Sequence, residues 1–290
     1  MKNDRIPLPF ATPTRVSHSI GEHLIALGSL KADDVHAIVE VQKQCGLPFG
    51  EVAIHRGLIS AEELRRALAK QYSFPCTGPG HNFSPELIVA SERPNPCAES
   101  IRRLRLQINL RWRAGAMHNA IAIVSSERKE GRSFIAANLA LAYAQCNVRT
   151  LLIDMDLREP RQHQIFELPN RQGLSSVLIG RSELDLVHPV PAHDTLSVIT
   201  SGPIPPNPQE LLESSSLSAM LEALRFQYEL VIVDTPSWSS GADAQVISAR
   251  CGAAVLVSRP GRSATSQTRE FLAAIAAGGA RTIGAVMNAA

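Results

Sequence analysis

The sequence has no excess of one charge. In 290 residues, 29 Lys and Arg stand against 27 Asp and Glu, a formal charge of +2, so there is no broad basic field and nucleic acid is not the expected partner. It has no C-x-x-C pair either. The 5 cysteines, Cys45, Cys76, Cys97, Cys146 and Cys251, are odd in number and too scattered for paired metal or redox motifs, and are expected as buried, reduced thiols. The chain also lacks any run of about 18 apolar residues, and its opening lacks the apolar centre of a secretory signal. The expectation is a cytoplasmic protein that reaches the inner membrane only through a partner.

What is present divides the chain. Residues 1–14 read as a disordered tail. Two segments then repeat, "IGEHLIALGSLKADDVHAIVEVQ" from Ile20 and "FGEVAIHRGLISAEELRRALAKQ" from Phe49, aligning Gly21 with Gly50, Glu22 with Glu51, Ile25 with Ile54 and Gly28 with Gly57. Each reads as a short helix closed by glycine and a second helix opened by an acidic cap, so each should pack on its twin in a helical domain over residues 15–77. Residues 78–97, rich in Pro, Gly, Ser and Asn, read as a linker with at most a brief ordered piece.

Residues 98–290 have a different rhythm. Short, wholly apolar runs ("AIAIVSS", "TLLIDMD", "LVIVDTP", "AAVLVSR") alternate with amphipathic stretches, which is the pattern of a parallel sheet covered on both faces. The fold class is therefore α/β, doubly wound, with its ligand at the carboxyl ends of the strands.

Chemistry-bearing residues sit at three such ends. After the first strand, Ser126 to Ser133 reads S-x-x-x-x-G-R-S. A phosphate loop needs a glycine, free N–H groups at a helix start, a cation and a hydroxyl for Mg²⁺; Gly131, Arg132 and Ser133 stand in those places. The second strand ends in Asp154 and Asp156, alternate positions able to face one metal-phosphate centre, with Arg158 beyond. The third ends in Asp234, the form of a Walker B carboxylate. His163, Asp243 and Trp238 lie near these ends: His163 reads as a surface histidine, Asp243 as a helix cap or metal support, and Trp238 as a lid over a base or simply over the loop. In "SGPIPPNPQELL", Pro208 and Glu210 read as the start of a helix.

In order and content these motifs resemble the bacterial tyrosine autokinases of exopolysaccharide synthesis, nearest the EpsG-type kinases that accompany chain-length determinant membrane proteins. The resemblance covers residues 97–290. It implies a P-loop NTPase fold of the MinD-like class and ATP with Mg²⁺ as cofactors. The loop would be Walker A, with Ser126, Lys129, Glu130, Gly131, Arg132 and Ser133 around the phosphates. Ser133, Asp154 and Asp234 would serve the metal, and Asp154, Asp156 and Arg132 catalysis. It also implies a ring of subunits joined through Glu99, Arg102 and Arg105 of "ESIRRLR", and a polysaccharide co-polymerase in the membrane as partner. The repeats resemble the MshEN-type domain of secretion ATPases. Ser19 and Pro48 stand where its nucleotide-binding form has arginines, which argues against cyclic di-GMP as a ligand.

The loop departs from the family in having Arg132 for the Walker lysine and Lys129 for a glycine. Arginine keeps the charge but is planar and bulkier than an ammonium. If φ is positive at Lys129, the non-glycine residue costs on the order of 1 kcal/mol. With tyrosine only at Tyr72, Tyr143 and Tyr228 and the sequence ending in "GAVMNAA", autophosphorylation of a tyrosine-rich tail is not expected. Besides a kinase, a catalytically impaired scaffold of the same system and a ParA/MinD-type ATPase remain as readings, the last weakened by Glu127 where that group has an early lysine.

Overall fold

The computed structural model describes residues 19–61, 63–64, 67–68, 84–91, 95–113, 119–181, 186–191 and 193–289. The expected tail over residues 1–14, residues 78–83 and 92–94 of the expected linker, Tyr72 and Cys76 lie outside these. The chain falls into two compact units, Met1–Cys76 and Thr77–Ala290.

In the first unit the repeat is visible bond by bond. Helix α1 (Ile20–Ala26) opens on a capping box between Ser19 and Glu22; α2 (Ala32–Cys45) and α3 (Phe49–His55) follow. Gly28 and Gly57 both take positive φ, 73° and 68°, which an L side chain resists. Twenty-nine positions apart, Asp34 and Glu63 each accept from the backbone N–H three residues earlier, at Lys31 (2.9 Å) and Ser60 (2.7 Å). A Cβ at Gly21 would meet Val35 and one at Gly50 would meet Leu64, so each repeat uses its glycine to bring two helices together. Leu24, Leu30, Ile38, Val52, Ala53 and Ile59 form the core.

The second unit is built on a seven-stranded sheet in the order β3-β4-β2-β5-β1-β6-β7. Its strands are β1 (Ala120–Val124), β2 (Thr150–Asp154), β3 (His188–Val190), β4 (His193–Ile199), β5 (Leu230–Asp234), β6 (Ala253–Ser258) and β7 (Arg281–Met287). All neighbours run parallel except β3 and β4. The apolar runs predict the buried strands β1, β2, β5 and β6, which lie between two layers of helices. They give no sign of the short antiparallel β3, which is an edge strand and needs no continuous apolar run.

One face of the sheet is covered by α4 (Pro96–Arg111) and α5 (Arg132–Ala144). The other is covered by α7 (Leu174–Leu178), α9 (Ser215–Gln227), α10 (Asp243–Cys251) and α11 (Thr265–Ala277). Two shorter helices, α6 (Gln162–Ile165) and α8 (Pro208–Glu213), follow β2 and the proline-rich segment; Pro208 is in the first turn of α8, as the sequence suggests.

Two expectations change. The ordered piece of the linker belongs to the core of the second unit: Leu87 and Val89 are buried, Asn138 of α5 donates to Glu86 O and accepts from Val89 N, and Gln145 donates to Val89 O. Two polar side chains on an otherwise apolar helix thus hold an irregular segment that has no periodicity of its own. Among the described residues Cys45, Cys97 and Cys146 are exposed and Cys251 is buried, its thiol pushed up to about 12 by desolvation. The exposed ones sit at helix ends, where the apolar face gives out.

Candidate functional site

The central strands β1, β5 and β2 lie side by side, so their carboxyl ends bring the three motifs together. Asp154 and Asp234 are direct register partners, and the loop after β1 runs across them into α5. The loop is tied down on every side. Ser125 O and Ser126 O accept from Trp238 N and Ser239 N at 3.0 Å each, and the Ser126 hydroxyl contacts that of Thr268 on α11 at 3.1 Å. Trp238 stacks on Phe271 with ring centroids 5.1 Å apart, so it covers the loop's support rather than a base.

Gly131 has φ 97° and Lys129 φ 61°. The strain foreseen at Lys129 is therefore present. Lys129→Gly is expected to stabilise the chain by on the order of 0.5–1 kcal/mol, the relief of a left-handed side chain less the added unfolded-state entropy, read as a higher urea midpoint. Gly131 is fixed more tightly: a Cβ there would collide with Asn288 Nδ2, and that amide donates to Glu130 O at 3.0 Å. Glu130, expected among the phosphate contacts, turns its carboxylate inward, accepting from Glu127 N at 2.8 Å and from the Ser263 hydroxyl. Its carboxylate thus closes the loop on itself and against the segment after β6.

Arg132 is also folded inward, 8% exposed. Its Nε donates to Thr235 O at 2.8 Å and one terminal nitrogen to Glu127 O at 2.8 Å and to the Ser125 hydroxyl. The other stands 3.9 Å from Asp156 Oδ2. Burial lowers its pKa, while Asp234, Asp156 and Glu130 oppose that shift. A guanidinium stays charged in such a place, so the loop carries an internal cation already satisfied by protein oxygens.

The three acids are buried in the same region but differ in what they have to offer. Asp154 gives Oδ1 to Asp156 N (3.2 Å) and Oδ2 to Arg161 N (3.0 Å) and Gln162 N (2.9 Å). These three backbone N–H groups pin the turn that follows β2 to the Asp154 carboxylate. Asp156 Oδ1 accepts from Arg158 N and Glu159 N, leaving Oδ2 toward Arg132. Asp234 Oδ2 accepts from Gln162 Nε2 at 2.8 Å, and its Oδ1 is buried with no hydrogen-bond partner. Among the described residues no group of three or more His, Cys, Asp and Glu is arranged as a metal site by itself. One unclaimed carboxylate oxygen beside the Ser133 hydroxyl nevertheless fits Mg²⁺, which takes few protein ligands and completes its shell with water and phosphate.

Burial raises the Asp234 carboxyl to about 6, with Arg132 and Gln162 holding it down. Asp154 is raised by burial and then by Asp234, and Asp156 by burial against the pull of Arg132. A carboxyl whose folded pKa exceeds its unfolded one stabilises the fold below the unfolded value, and that contribution is lost as pH rises through the folded value. Without metal, thermal stability is therefore expected to fall between about pH 4 and pH 6, by on the order of 1–3 kcal/mol, and Asp234→Asn to flatten this slope in calorimetric scans.

The other residues singled out from the sequence are accounted for. Arg158 reaches Asp243 at 2.5 and 3.3 Å, so Asp243 joins two loops and does not face the acids directly. His163 is half-buried, its pKa lowered by burial. Glu99 pairs with Arg102 at 3.4 Å and Arg105 donates to Ala142 O at 2.9 Å within the same chain. Tyr143 is buried, donating to Asn109 at 3.0 Å, and Tyr228 packs half-buried on the core. A cleft of about 460 Å³ opens beside the loop, lined by Arg128, Arg158, Glu159, Pro205, Pro206 and Ser239 among others. Sequence reasoning missed Gln162, Ser263 and Asn288, which follow no motif spacing, and took the proline-rich segment for a helix lead-in alone.

A mostly parallel sheet, a glycine-bearing loop into a helix at its centre, and acids on the two strands beside it define a P-loop nucleotide-binding protein. Archaeal MinD bound to Mg-ADP, 20% identical with a TM-score of 0.52, shares this fold. No family model matches the chain, but individual relatives do. It is 35% identical over 209 residues to the tyrosine-protein kinase YwqD of Bacillus subtilis, covering 72% of this chain and 88% of that protein. It is 35% identical over 169 residues to the putative tyrosine-protein kinase CapB of Staphylococcus aureus, covering 58% and 74%. Among solved structures, the chimerical protein CapA2B2 matches 77% of this chain and 98% of its own at 37% identity and TM-score 0.66. The kinase domain of Escherichia coli ETK matches 72% and 81% at 31% and 0.66. The chain belongs to the bacterial protein-tyrosine kinases.

Proposed function

We propose that this chain binds ATP with Mg²⁺ at the loop from Ser126 to Ser133 and transfers the γ-phosphate to a tyrosine of another polypeptide, the membrane co-polymerase that governs polysaccharide chain length. The observation that carries the reading is the unclaimed Oδ1 of Asp234, buried beside Ser133 under a phosphate-type loop. Mg²⁺ bound there would neutralise charge on the transferring phosphoryl group. The backbone N–H groups of residues 129–133 would hold the phosphates at the start of α5, with Arg132 supplying positive charge from below. Asp156, whose Oδ2 is not taken by backbone, would accept the tyrosine proton, and burial raises its pKa, the direction that makes a carboxylate a stronger base. Asp154 would keep both loops in place.

The cleft walled by Arg128, Pro205 and Ser239 is the entrance proposed for the acceptor segment. An acceptor on another chain is supported by the burial of Tyr143 and the core packing of Tyr228. A subunit contact through Glu99, Arg102 and Arg105 is supported by Leu106 and Leu110, 51% and 68% exposed on the same helix. Among the described residues no helix is long and apolar enough to cross a membrane.

A second reading, a scaffold that has stopped transferring phosphate, is favoured by one observation: two of the three guanidinium nitrogens of Arg132 already donate to protein oxygens. Calorimetric titration with ATP and Mg²⁺, followed by transfer of labelled phosphate to the purified membrane partner, separates the two. Binding with transfer supports the kinase. Failure of the native chain to bind, with binding gained in Arg132→Lys, supports the scaffold.

A further inference from the structure

Gln162 was given no role from the sequence, yet its backbone and side chain together touch all three parts of the site. It lies 0% exposed at the start of α6. Its backbone N–H donates to Asp154 Oδ2 at 2.9 Å, and its amide Nε2 donates to Ser133 O at 3.1 Å and to Asp234 Oδ2 at 2.8 Å. The Ser133 carbonyl and an ionised carboxylate can only accept, so the amide nitrogen has to face them. Its Oε1 therefore points the other way, buried and without a hydrogen-bond partner. A buried amide oxygen left unsatisfied carries a desolvation cost that an apolar side chain of the same length would avoid.

The structure assigns Gln162 as the positioning residue of the metal-nucleotide centre: by holding Asp234 Oδ2 it would leave Oδ1 as the oxygen available to Mg²⁺. This rests on the nucleotide reading above. The physical reason is competition. Arg132 is buried nearby and attracts Asp234, and a carboxylate free to turn would settle against that cation and lose its orientation toward a metal. The amide, fixed at both ends by Ser133 and by its own N–H on Asp154, prevents the turn. A charged partner in its place would compete for the same proton or metal; a neutral donor does not.

The test compares the full native chain with Gln162→Met, of similar length but without hydrogen bonds, and Gln162→Asn, which keeps the amide but falls a methylene short. ADP affinity is measured by calorimetry in Mg²⁺ and again in EDTA. For the native chain Mg²⁺ is expected to tighten binding. In Gln162→Met that gain should shrink about ten-fold or more, the usual consequence of losing a hydrogen bond to a charged group, while affinity in EDTA stays within about two-fold; Gln162→Asn should fall between. Equal loss in both buffers would make Gln162 a packing residue only and overturn the assignment, as would an unchanged Mg²⁺ gain. If Gln162→Met does not fold, Gln162→Asn decides by the same two numbers. Native protein that binds no ADP in either buffer would defeat the nucleotide reading, and the assignment with it, before any variant is compared.

Discussion

Replacing Asp234 with asparagine is expected to remove Mg²⁺-dependent ATP binding and to reduce phosphotransfer by about 100-fold or more, the scale of losing a metal's charge stabilisation. The chain should stay folded. Asparagine is isosteric, its oxygen can still accept from Gln162, and the change removes a buried negative charge whose pKa is already raised to about 6. The variant should therefore be at least as thermostable as the native chain at pH 7 in EDTA and inactive in Mg²⁺. Calorimetric binding with and without Mg²⁺, beside a melting curve, reads both halves. An active variant with unchanged Mg²⁺ dependence would remove Asp234 from the metal site.

The second large effect is at Arg132, and there stability and function should part. Arg132→Ala removes the donor to Thr235 O, leaves Glu127 O and the Ser125 hydroxyl only each other, and leaves Asp156 and Asp234 without their nearby cation. Breaking a buried charge pair by deleting one partner costs about 3–5 kcal/mol, enough to appear as a large drop in urea midpoint. Arg132→Lys keeps the charge on a thinner, flexible stem that cannot reach three acceptors at once. It should lose less stability than the alanine variant, about 1–2 kcal/mol by the hydrogen bonds forgone, while freeing a compact cation for phosphate. ATP-Mg²⁺ affinity is expected to rise in Arg132→Lys and to vanish in Arg132→Ala. A lysine variant more stable and weaker in binding than the native chain would show that Arg132 already contacts nucleotide in its native pose.

Both predictions depend on neighbours that no motif announces. The α/β class, the repeats and the three strand ends were legible because they rest on local signals. Apolar runs of four to six residues mark buried strands, Gly28 and Gly57 mark left-handed turns, and Asp234 closes an apolar strand. The family followed from the order of those motifs. The direction in which each polar side chain turns was not legible, because it depends on which acceptors the fold places within about 3 Å. Glu130 was expected to face phosphate and instead closes the loop against Ser263. Asp154 accepts from the backbone of Asp156, Arg161 and Gln162, a set of partners that no motif announces. The cysteines were expected inside and three lie at helix ends. Residues 84–91 looked like linker because two side chains of a distant helix, Asn138 and Gln145, supply their order.

By itself, then, the sequence determined the repeat, the strand rhythm and the gathering of a glycine loop with acids at strand ends, since hydrophobic period and turn chemistry are properties of neighbouring residues. Only the tertiary structure decided which atoms are free. Register across β2 and β5 sets Asp154 beside Asp234, and the chain's return through α6 gives one of them three backbone donors and leaves the other an oxygen to spare. Buried polar atoms must be satisfied by whatever the fold brings near, and that is a property of the assembled molecule.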